Sequence, residues 1–427
     1  MARLPGFDTD CAIRFDGRTI PARTGESVAL ALLAAERPLV ARSAKYHRPR
    51  GPLCLSGSCG NCLVRAGGDP DRRACRMRCV EGLVVESQNA FPSARHDLLG
   101  AIDRIWARGL DVHHLQTWSL PANRAAVALS RRLAGLGRLP DAPIAAPPTP
   151  GVERFDALVV GGGPAGLAAA EALASAGRRV LLAEAEPVFG GRLRARLGLA
   201  GDPGPELAAA AVAAVGAAGG EVRTGAEVVG LWHDGGAPLA GVRDGGPPSR
   251  LRLVRAARVV LCPGGHPQPP ECEDGDRPGV IAGRGLAAAL AEHGVLPGRR
   301  LAVLGEGEEA EALALRLADA GAAVTHAPRA TRVLGRSCAS GLLLPGGERL
   351  ACDAVAVAGP PAPATDLARQ LGAGVVLDPA SEAFAVNAGP DGATAVPHLF
   401  VAGEATGAMD ASRAAAAGRA AGKAALR

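Results

Sequence analysis

The chain has 427 residues, of which 48% are hydrophobic, 21% charged and 3% aromatic. This composition excludes an intrinsically disordered chain, and the length predicts two or three domains that each bury a core. The net charge of +5 is small and gathers in no long basic tract, so neither nucleic acid nor an anionic membrane is expected as a partner.

The first ten residues carry no apolar stretch behind a basic end, so no secretory signal is predicted. The apolar run from Ala208 to Ala218 is too short to cross a bilayer. We therefore expect a cytoplasmic protein without a membrane span. In that reducing compartment the ten cysteines are better candidates for metal ligands or core thiols than for disulfides.

Residues 1–110 are predicted to form a ferredoxin-like domain of the β-grasp type. Alternating apolar residues lead to a tight turn at Asp16-Gly17, and Thr19 to Ala22 returns as a second strand. A helix is expected from Val28 to about Glu36. Two strands and a helix followed by a cysteine-rich loop are typical of that fold.

Four cysteines in this domain are spaced C-x4-C-x2-C-x12-C, and the first three match the plant-type [2Fe-2S] run: Cys54, Cys59, Cys62 and Cys75. Two irons need four thiolates that converge on a compact cluster. Gly57 and Gly60 lie inside the loop, where residues without Cβ let backbone amides approach the sulfides. The sequence therefore predicts a [2Fe-2S] cluster on these four cysteines.

Two alternatives remain open for this loop. A zinc site more often uses two C-x2-C pairs, and only Cys59 and Cys62 form one here. Cys79, four residues beyond Cys75, is a second candidate for the fourth ligand. The remaining cysteines stand singly and are interpreted as core thiols: Cys11, Cys262, Cys272, Cys338 and Cys352.

Residues 111–152 are predicted to be a linker. A short helix is expected around Ala125 to Leu133, and four prolines between Asp141 and Pro150 favour a stiff, extended segment. His113 and His114 are interpreted as linker surface rather than as catalytic residues.

After the linker, strands alternate with helices, which predicts a parallel, doubly wound α/β sheet. The strand Phe155–Val160 leads into G-x-G-x-x-G at residues 161–166 and then into a helix. Gly161 permits the tight turn, Gly163 lets a pyrophosphate approach the backbone, and Gly166 packs the helix on the strand. Glu184 ends the second strand, where a carboxylate accepts ribose hydroxyls. We expect a dinucleotide site over 153–283 and 363–427 that includes Pro164 and Ala165.

Residues 284–362 are expected to form an inserted domain of the NAD(P)-binding type, with G-x-G-x-x-A at residues 305–310. Three glutamates crowd this turn and oppose a pyrophosphate: Glu306, Glu308 and Glu309. Pro328 stands where the ribose acid would be, and Arg329 and Arg332 either suit a 2′-phosphate or are solvated. A working NAD(P)H site and a retained fold without binding both remain open.

Other motifs indicate FAD because they resemble flavoproteins related to glutathione reductase. Gly190-Gly191-Arg192 follows the acid, Leu261 to Gly265 resembles a strand-end motif of the group, and Val396 to Glu404 resembles its second FAD motif. In that motif an Asp usually holds the ribityl hydroxyls, whereas this chain has Glu404 after Gly403. By the same resemblance, Val228 offers its backbone to adenine.

The order of these motifs resembles the α subunit of heterotetrameric sarcosine oxidase and its amine, proline, opine and hydrogen-cyanide-forming dehydrogenase relatives. Three segments resemble that family's N-terminal signature: residues 46–51, 87–89 and 96–99. Arg48 and Arg50 are then either a solvated loop or close to a redox centre. Since the sequence ends at Arg427, we expect it to lack the aminomethyltransferase-like half of the long α chains.

The resemblance implies an electron-transfer subunit whose amine or amino-acid substrate is oxidised on a D-amino-acid-oxidase-like flavoprotein subunit. It implies a [2Fe-2S] cluster and FAD, leaves NAD or another adenine nucleotide open in the same pocket, and allows a second flavin at a subunit interface. Two rival functions remain: a self-contained NAD(P)H-dependent FAD/[2Fe-2S] reductase, and a non-catalytic scaffold with a structural nucleotide. No catalytic residue is assigned.

Overall fold

The computed structural model describes residues 3–43, 46–101, 119–133, 148–199, 204–245 and 249–427. The chain divides into two compact units, Met1–Ala145 with Pro269–Ala358, and Ala146–Gln268 with Gly359–Arg427. His113, His114 and most of the predicted linker lie outside the described residues. The domain boundaries expected from the sequence stay predictions.

The first part of the first unit contains the predicted two strands and helix. Ser27 caps the helix Val28–Ala34, and its hydroxyl accepts from the Leu30 amide at 3.3 Å. In the described residues the sheet has five strands, with Cys11–Phe15 antiparallel to Arg18–Ala22 and parallel to Val84–Glu86. Leu63–Ala66 and Asp69–Arg73 complete this sheet. Ala41–Arg42 and Pro49–Arg50 form a separate antiparallel pair, and a later helix spans Leu120–Leu133.

The second part of this unit is a four-stranded parallel sheet over its described residues, in the order Val280–Ala282, Ala354–Val357, Arg300–Leu304, Ala323–Ala327. Three of these strands are nearly fully buried, as expected of a parallel sheet covered by helices, whereas the edge strand Ala323–Ala327 is largely exposed. The helices are Gly283–His293 and Glu308–Asp319. A smaller antiparallel sheet is formed by Arg332–Leu334, Gly341–Leu343 and Arg349–Ala351.

The second unit has a seven-stranded sheet in its described residues. Its parallel part was predicted, and it runs through Glu221–Arg223, Val180–Ala183, Val152–Val160, Arg250–Leu261 and Leu399–Val401. Its antiparallel part was not predicted, and it comprises Ala226–Asp234, Ala237–Asp244 and the first half of Arg250–Leu261. Minor strands are Gly265–His266, Ala362–Pro363, Val375–Asp378 and Ala383–Val386.

The last helix of the second unit packs tightly on its first helix. The helices here are Pro164–Ser175, Pro205–Ala217, Asp366–Gln370 and Ala411–Ala424. A Cβ at Gly418 would lie 1.9 Å from the Ala165 carbonyl, and one at Gly422 would lie 2.7 Å from the Ala169 carbonyl. Because only glycine allows so close an approach, the C-terminal helix is fixed against the helix that follows the G-x-G-x-x-G turn.

Candidate functional site

The four cysteines of the predicted cluster come together in the structure. Three are buried and Cys59 is partly exposed. Hydrogen bonds from Cys59 and Cys75 lower the pKa of the Cys54 thiol, and a hydrogen bond from Cys75 lowers the pKa of Cys62. The Cys59 amide also donates to Cys54 Sγ at 3.4 Å. Contacts between Cys59 and Cys54, Cys54 and Cys75, and Cys75 and Cys62 thus link the four thiols that a [2Fe-2S] cluster requires as its donor set.

The alternative fourth ligand, Cys79, lies elsewhere. Burial raises the pKa of its thiol to about 12, and the titratable side chains around it are Glu26, Cys11, Arg3 and Arg78. Its amide donates to the Glu26 carbonyl at 2.8 Å. Cys75 is therefore the residue whose thiol meets Cys54 and Cys62. Within the described residues, no group of His, Cys, Asp or Glu closes around a single metal ion.

Two arginines approach the cluster loop. Gly57 has a φ of +80°, and a Cβ there would lie 2.7 Å from the side chain of Arg76. Arg50 Nη1 donates to Asn61 Oδ1 at 3.4 Å and also pairs with Asp276. The guanidinium of Arg50 therefore lies beside the loop that carries the cysteines, as the second interpretation of this residue, a position close to a redox centre, expects.

The G-x-G-x-x-G turn follows its strand as predicted. Gly161 has a φ of +99°, and a Cβ there would lie 2.2 Å from the Cys262 carbonyl. A Cβ at Gly166 would lie 1.7 Å from the Gly161 carbonyl. These two glycines are required by the packing of the turn itself, whether or not a ligand is present.

Gly163 differs from its neighbours because a Cβ there would meet only the Gly191 Cα, at 3.9 Å. It precedes the helix Pro164–Ser175 and gives it no side-chain cap. The positive end of the helix dipole therefore opens onto space that a side chain would fill. This arrangement fits a pyrophosphate.

Glu184 follows the strand Val180–Ala183 and is 9% exposed. Its Oε2 accepts from the Gly162 amide and its Oε1 from the Glu186 amide, both at 2.6 Å. Burial raises the pKa of this carboxyl, and the two amides oppose that change. The turn thus fixes the carboxylate, whose remaining lone pairs can accept ribose hydroxyls.

The second FAD-like motif lies beside the helix that follows the Gly161 turn. Gly403 has a φ of +76°, and a Cβ there would lie 2.9 Å from Ala165 Cβ. Glu404 Oε1 accepts from Arg192 Nη1 at 2.9 Å, and both side chains are 10% exposed. Arg192 Nη1 also donates to the Met409 carbonyl at 2.6 Å. Two residues predicted separately from distant motifs therefore form one buried ion pair.

Val228 lies on the strand that begins beside Glu184. The Ala226 amide donates to the Glu184 carbonyl at 2.8 Å, and the strand pairing is irregular between Val228 and Gly230. Val228 itself is nearly buried. Its position is compatible with a backbone contact to a nucleotide held at Glu184.

The Gly305 turn also joins a strand to a helix, but its backbone and side chains differ from those of the Gly161 turn, since Gly163 has a φ of −81°. Gly305 and Gly307 have φ values of +141° and +88°. Glu309 makes two hydrogen bonds of 2.8 Å with Arg284, while Glu308 is exposed. The two arginines considered for a 2′-phosphate are paired, Arg329 with Glu306 at 3.2 Å and Arg332 with Asp274 at 3.0 Å.

A histidine–aspartate pair was missed from the sequence. His47 Nδ1 lies 2.7 Å from Asp97 Oδ2, and both side chains are almost fully buried. Asp97 Oδ1 also accepts from the amides of Phe91 and Leu99. Both residues fall in segments that resemble the family signature, and this resemblance was the one signal that pointed to them. A contact between residues fifty positions apart cannot be predicted from a local sequence pattern.

Two family models match the chain. Residues 8–90 match a 2Fe-2S iron-sulfur cluster binding domain, and residues 155–342 match pyridine nucleotide-disulphide oxidoreductase. The sarcosine oxidase subunit alpha of Rhizobium meliloti strain 1021 is 34% identical over 336 residues, covering 72% of this chain and 33% of that protein. That of Corynebacterium sp. strain P-1 is 29% identical, covering 96% of this chain and 43% of that protein.

The chain belongs to the sarcosine oxidase α-subunit family. It spans less than half the length of these curated relatives. A shorter relative, the hydrogen cyanide synthase subunit HcnA of Pseudomonas aeruginosa, is 34% identical over 80 residues, covering 19% of this chain and 76% of that protein. The similarity thus covers both the cysteine-bearing domain and the dinucleotide motifs.

Solved structures confirm the fold. The crystal structure of L-proline dehydrogenase from P. horikoshii has a TM-score of 0.77 at 20% identity, covering 100% of this chain and 75% of that one. Lactococcus lactis thioredoxin reductase has a TM-score of 0.51 at 17% identity, covering 64% of this chain and 98% of that one. The predicted ferredoxin-like and two-dinucleotide-binding α/β architecture is therefore confirmed.

The two domain matches give this chain a [2Fe-2S] domain and a flavin- or nucleotide-binding domain of the pyridine nucleotide-disulphide oxidoreductase type. In the part of the chain that the structure describes, no helix combines the length and apolar character needed to cross a membrane.

Proposed function

We propose that the chain is the electron-transfer subunit of a cytoplasmic, multi-subunit dehydrogenase or oxidase that acts on an amine or amino acid of the sarcosine, proline or opine type. The observation that carries this proposal is that one chain holds both the four converging thiols and the open dinucleotide turn at Gly163. The relatives named as sarcosine oxidase α subunits support it.

We assign the cluster to Cys54, Cys59, Cys62 and Cys75, and FAD to the Gly161 turn. A bound flavin supplies two-electron chemistry, and a [2Fe-2S] cluster supplies one-electron transfer. The protein contributes binding, orientation and electrostatics to both.

The residues of the Gly161 turn would hold the dinucleotide at three points. The uncapped helix at Pro164 offers its amides to the phosphates, and Glu184 accepts the ribose hydroxyls. Pairing with Arg192 offsets the charge of Glu404, so that end of the pocket is polar without a free buried anion. Gly191 lies against Gly163, because a Cβ on Gly191 would be 3.0 Å from the Gly163 Cα.

The partner in this proposal is a D-amino-acid-oxidase-like flavoprotein subunit that carries the substrate pocket. The exposed residues of the cluster loop support a transfer surface between Tyr46 and Cys62, because Ser56, Ser58 and Gly60 reach solvent there. A second flavin at the interface would lie near this surface.

The test is an activity assay with an artificial acceptor against sarcosine, proline, opines and glycine. We expect the isolated chain to be inactive and its complex with the co-encoded oxidase-like protein to be active. Turnover by the isolated chain at the rate of the complex would move the active site to the Gly161 flavin. NADH and NADPH serve as further donors, and rapid bleaching of the isolated chain would instead favour the self-contained reductase.

A further inference from the structure

The loop that carries the first cluster ligand rests on a helix more than two hundred residues away in sequence. The Ala282 amide donates to the Leu53 carbonyl at 2.8 Å. A Cβ at Gly285 would lie 3.0 Å from the Cys54 carbonyl and 3.1 Å from Leu55 Cβ. The first turn of the helix Gly283–His293 is therefore in direct contact with the backbone of Cys54.

A second set of contacts, made by Arg50, fixes the cysteine loop at the residues before Cys54 and after Cys59. Arg50 pairs with Asp276 and reaches Asn61, which stands between Cys59 and Cys62. Near Arg50, a Cβ at Gly51 would lie 2.9 Å from Pro278 Cβ. The segment from 276 to 285 thus contacts the chain before, at and after the first ligand.

These contacts leave little freedom for a side chain at Gly285. Its φ is not in the left-handed region, so the backbone itself accepts other residues and the constraint is steric. A larger side chain must displace either the helix or the Cys54 carbonyl. The first turn of the helix Gly283–His293, which carries the partial positive charge of the helix dipole, lies against the Cys54 carbonyl.

We propose that Gly285 and Asp276 are positioning residues for the [2Fe-2S] cluster. The close packing at Gly285 fixes the position of the Cys54 backbone, and the ion pair with Asp276 fixes the Arg50 guanidinium beside the loop. This role rests on the proposed cluster ligation and needs no nucleotide at the Gly305 turn. The inserted parallel sheet would then help to position the cluster loop, and the acidic residues of the Gly305 turn do not prevent this role.

The first test is Gly285→Val in the full chain, with Ala288→Val on the same helix as the matched control. We expect Gly285→Val to lose most of its iron and acid-labile sulfide and to show an altered electron paramagnetic resonance spectrum. Flavin content at the Gly161 turn should stay unchanged in both variants. A Gly285→Val protein with wild-type iron, spectrum and reduction potential overturns the proposal.

The second test is Asp276→Asn, which keeps the size of the side chain and removes its charge. With Arg50 no longer compensated, the reduced and more negative cluster is favoured, so the reduction potential should rise. Arg50→Gln should lower it, and Arg50→Lys should restore part of the shift. Unchanged potentials in all three variants would contradict the positioning role even if Gly285→Val fails to fold.

The wild-type protein separates this inference from the proposed function. If the wild-type chain holds no iron, both the proposed ligation and the positioning role fail. If it holds a cluster whose content and potential are indifferent to Gly285 and Asp276, only the positioning role fails.

Discussion

The two glycine-rich turns share their packing between strand and helix but differ in the backbone at their third position, where φ is −81° at Gly163 and +88° at Gly307, and in their side chains. At the first, Gly161 donates to the Ala183 carbonyl at 2.8 Å, and at the second, Gly305 donates to the Ala327 carbonyl at 3.1 Å. A Cβ at Gly305 would lie 1.8 Å from the Ala358 carbonyl, as a Cβ at Gly161 would meet Cys262. The same strand–turn–helix packing is therefore present twice.

The difference lies in the position after the second strand and in the first helical turn. Glu184 anchors the first turn through the Gly162 amide, whereas Pro328 occupies the equivalent position of the second. The helix Glu308–Asp319 begins with acidic residues, of which Glu309 is paired with Arg284. Glycines that the fold requires are thus poor evidence of a ligand. A Cβ at Gly307 would meet no atom within 4 Å, so open space at the third position does not separate the turns either, and the acid at Glu184 is the better evidence.

The largest effect that separates the two turns is expected from Gly163→Val. A Cβ at this position would lie 3.9 Å from its nearest described neighbour, Gly191 Cα, and the valine fills the space of the pyrophosphate. The Kd for the dinucleotide should therefore rise about a hundredfold, from an overpacking cost of roughly 1–3 kcal/mol. Bound cofactor per chain after gel filtration measures this. Gly216→Val, also in open space on the helix Pro205–Ala217, is the control. Wild-type cofactor content in Gly163→Val would refute the first turn as the binding site.

A smaller effect is expected from Glu184→Gln. The amide can accept from only one of the two backbone N–H groups and loses the charge that strengthens a ribose hydrogen bond, so binding should weaken about tenfold. Titration with the dinucleotide measures it. Glu308→Gln, on the exposed acidic turn, should bind as the wild type does. Equal affinities for all three proteins would contradict the assignment of Glu184.

The smallest effect is expected in the pH dependence of stability, through His293 beside the inserted sheet. His293 ends the helix Gly283–His293, and its Nδ1 is buried without a hydrogen-bond partner among the described residues. Burial lowers the pKa of this imidazole to about 4. The unfolded chain binds a proton near pH 6.5, so this contribution to stability is complete above that pH and is lost as pH falls toward 4. Because the imidazole is only partly buried, we expect about half of the full linkage, roughly 1 kcal/mol. Between pH 7 and 5, the Tm of the cluster-bearing unit should therefore fall by about 2–4 °C more in the wild type than in His293→Gln. Parallel Tm curves would exclude this role of His293.

The sequence predicted those features that are local. The cysteine spacing, the Gly161 turn and the strand and helix on each side of it depend on neighbouring residues, and the structure brings the four thiols together. The helix bounds differ by only a few residues; the helix expected around Ala125, for example, begins at Leu120.

The features that escaped prediction join distant parts of the chain. Arg192 and Glu404 were both assigned to the cofactor, but the ion pair between them crosses 212 positions. The Gly285 contact with Cys54 and the His47–Asp97 pair are equally invisible to a local pattern. The antiparallel strands from Ala226 were missed because the alternation of strands and helices dominated the pattern beyond the linker.

The central claim is that one chain holds a [2Fe-2S] cluster on Cys54, Cys59, Cys62 and Cys75. Electron paramagnetic resonance of the reduced protein, combined with elemental analysis, tests it most directly. The account predicts a rhombic [2Fe-2S] signal that Cys62→Ser abolishes or strongly alters and Cys338→Ser leaves unchanged. Zinc without iron in the purified protein, or a signal that Cys62→Ser does not affect, would contradict it.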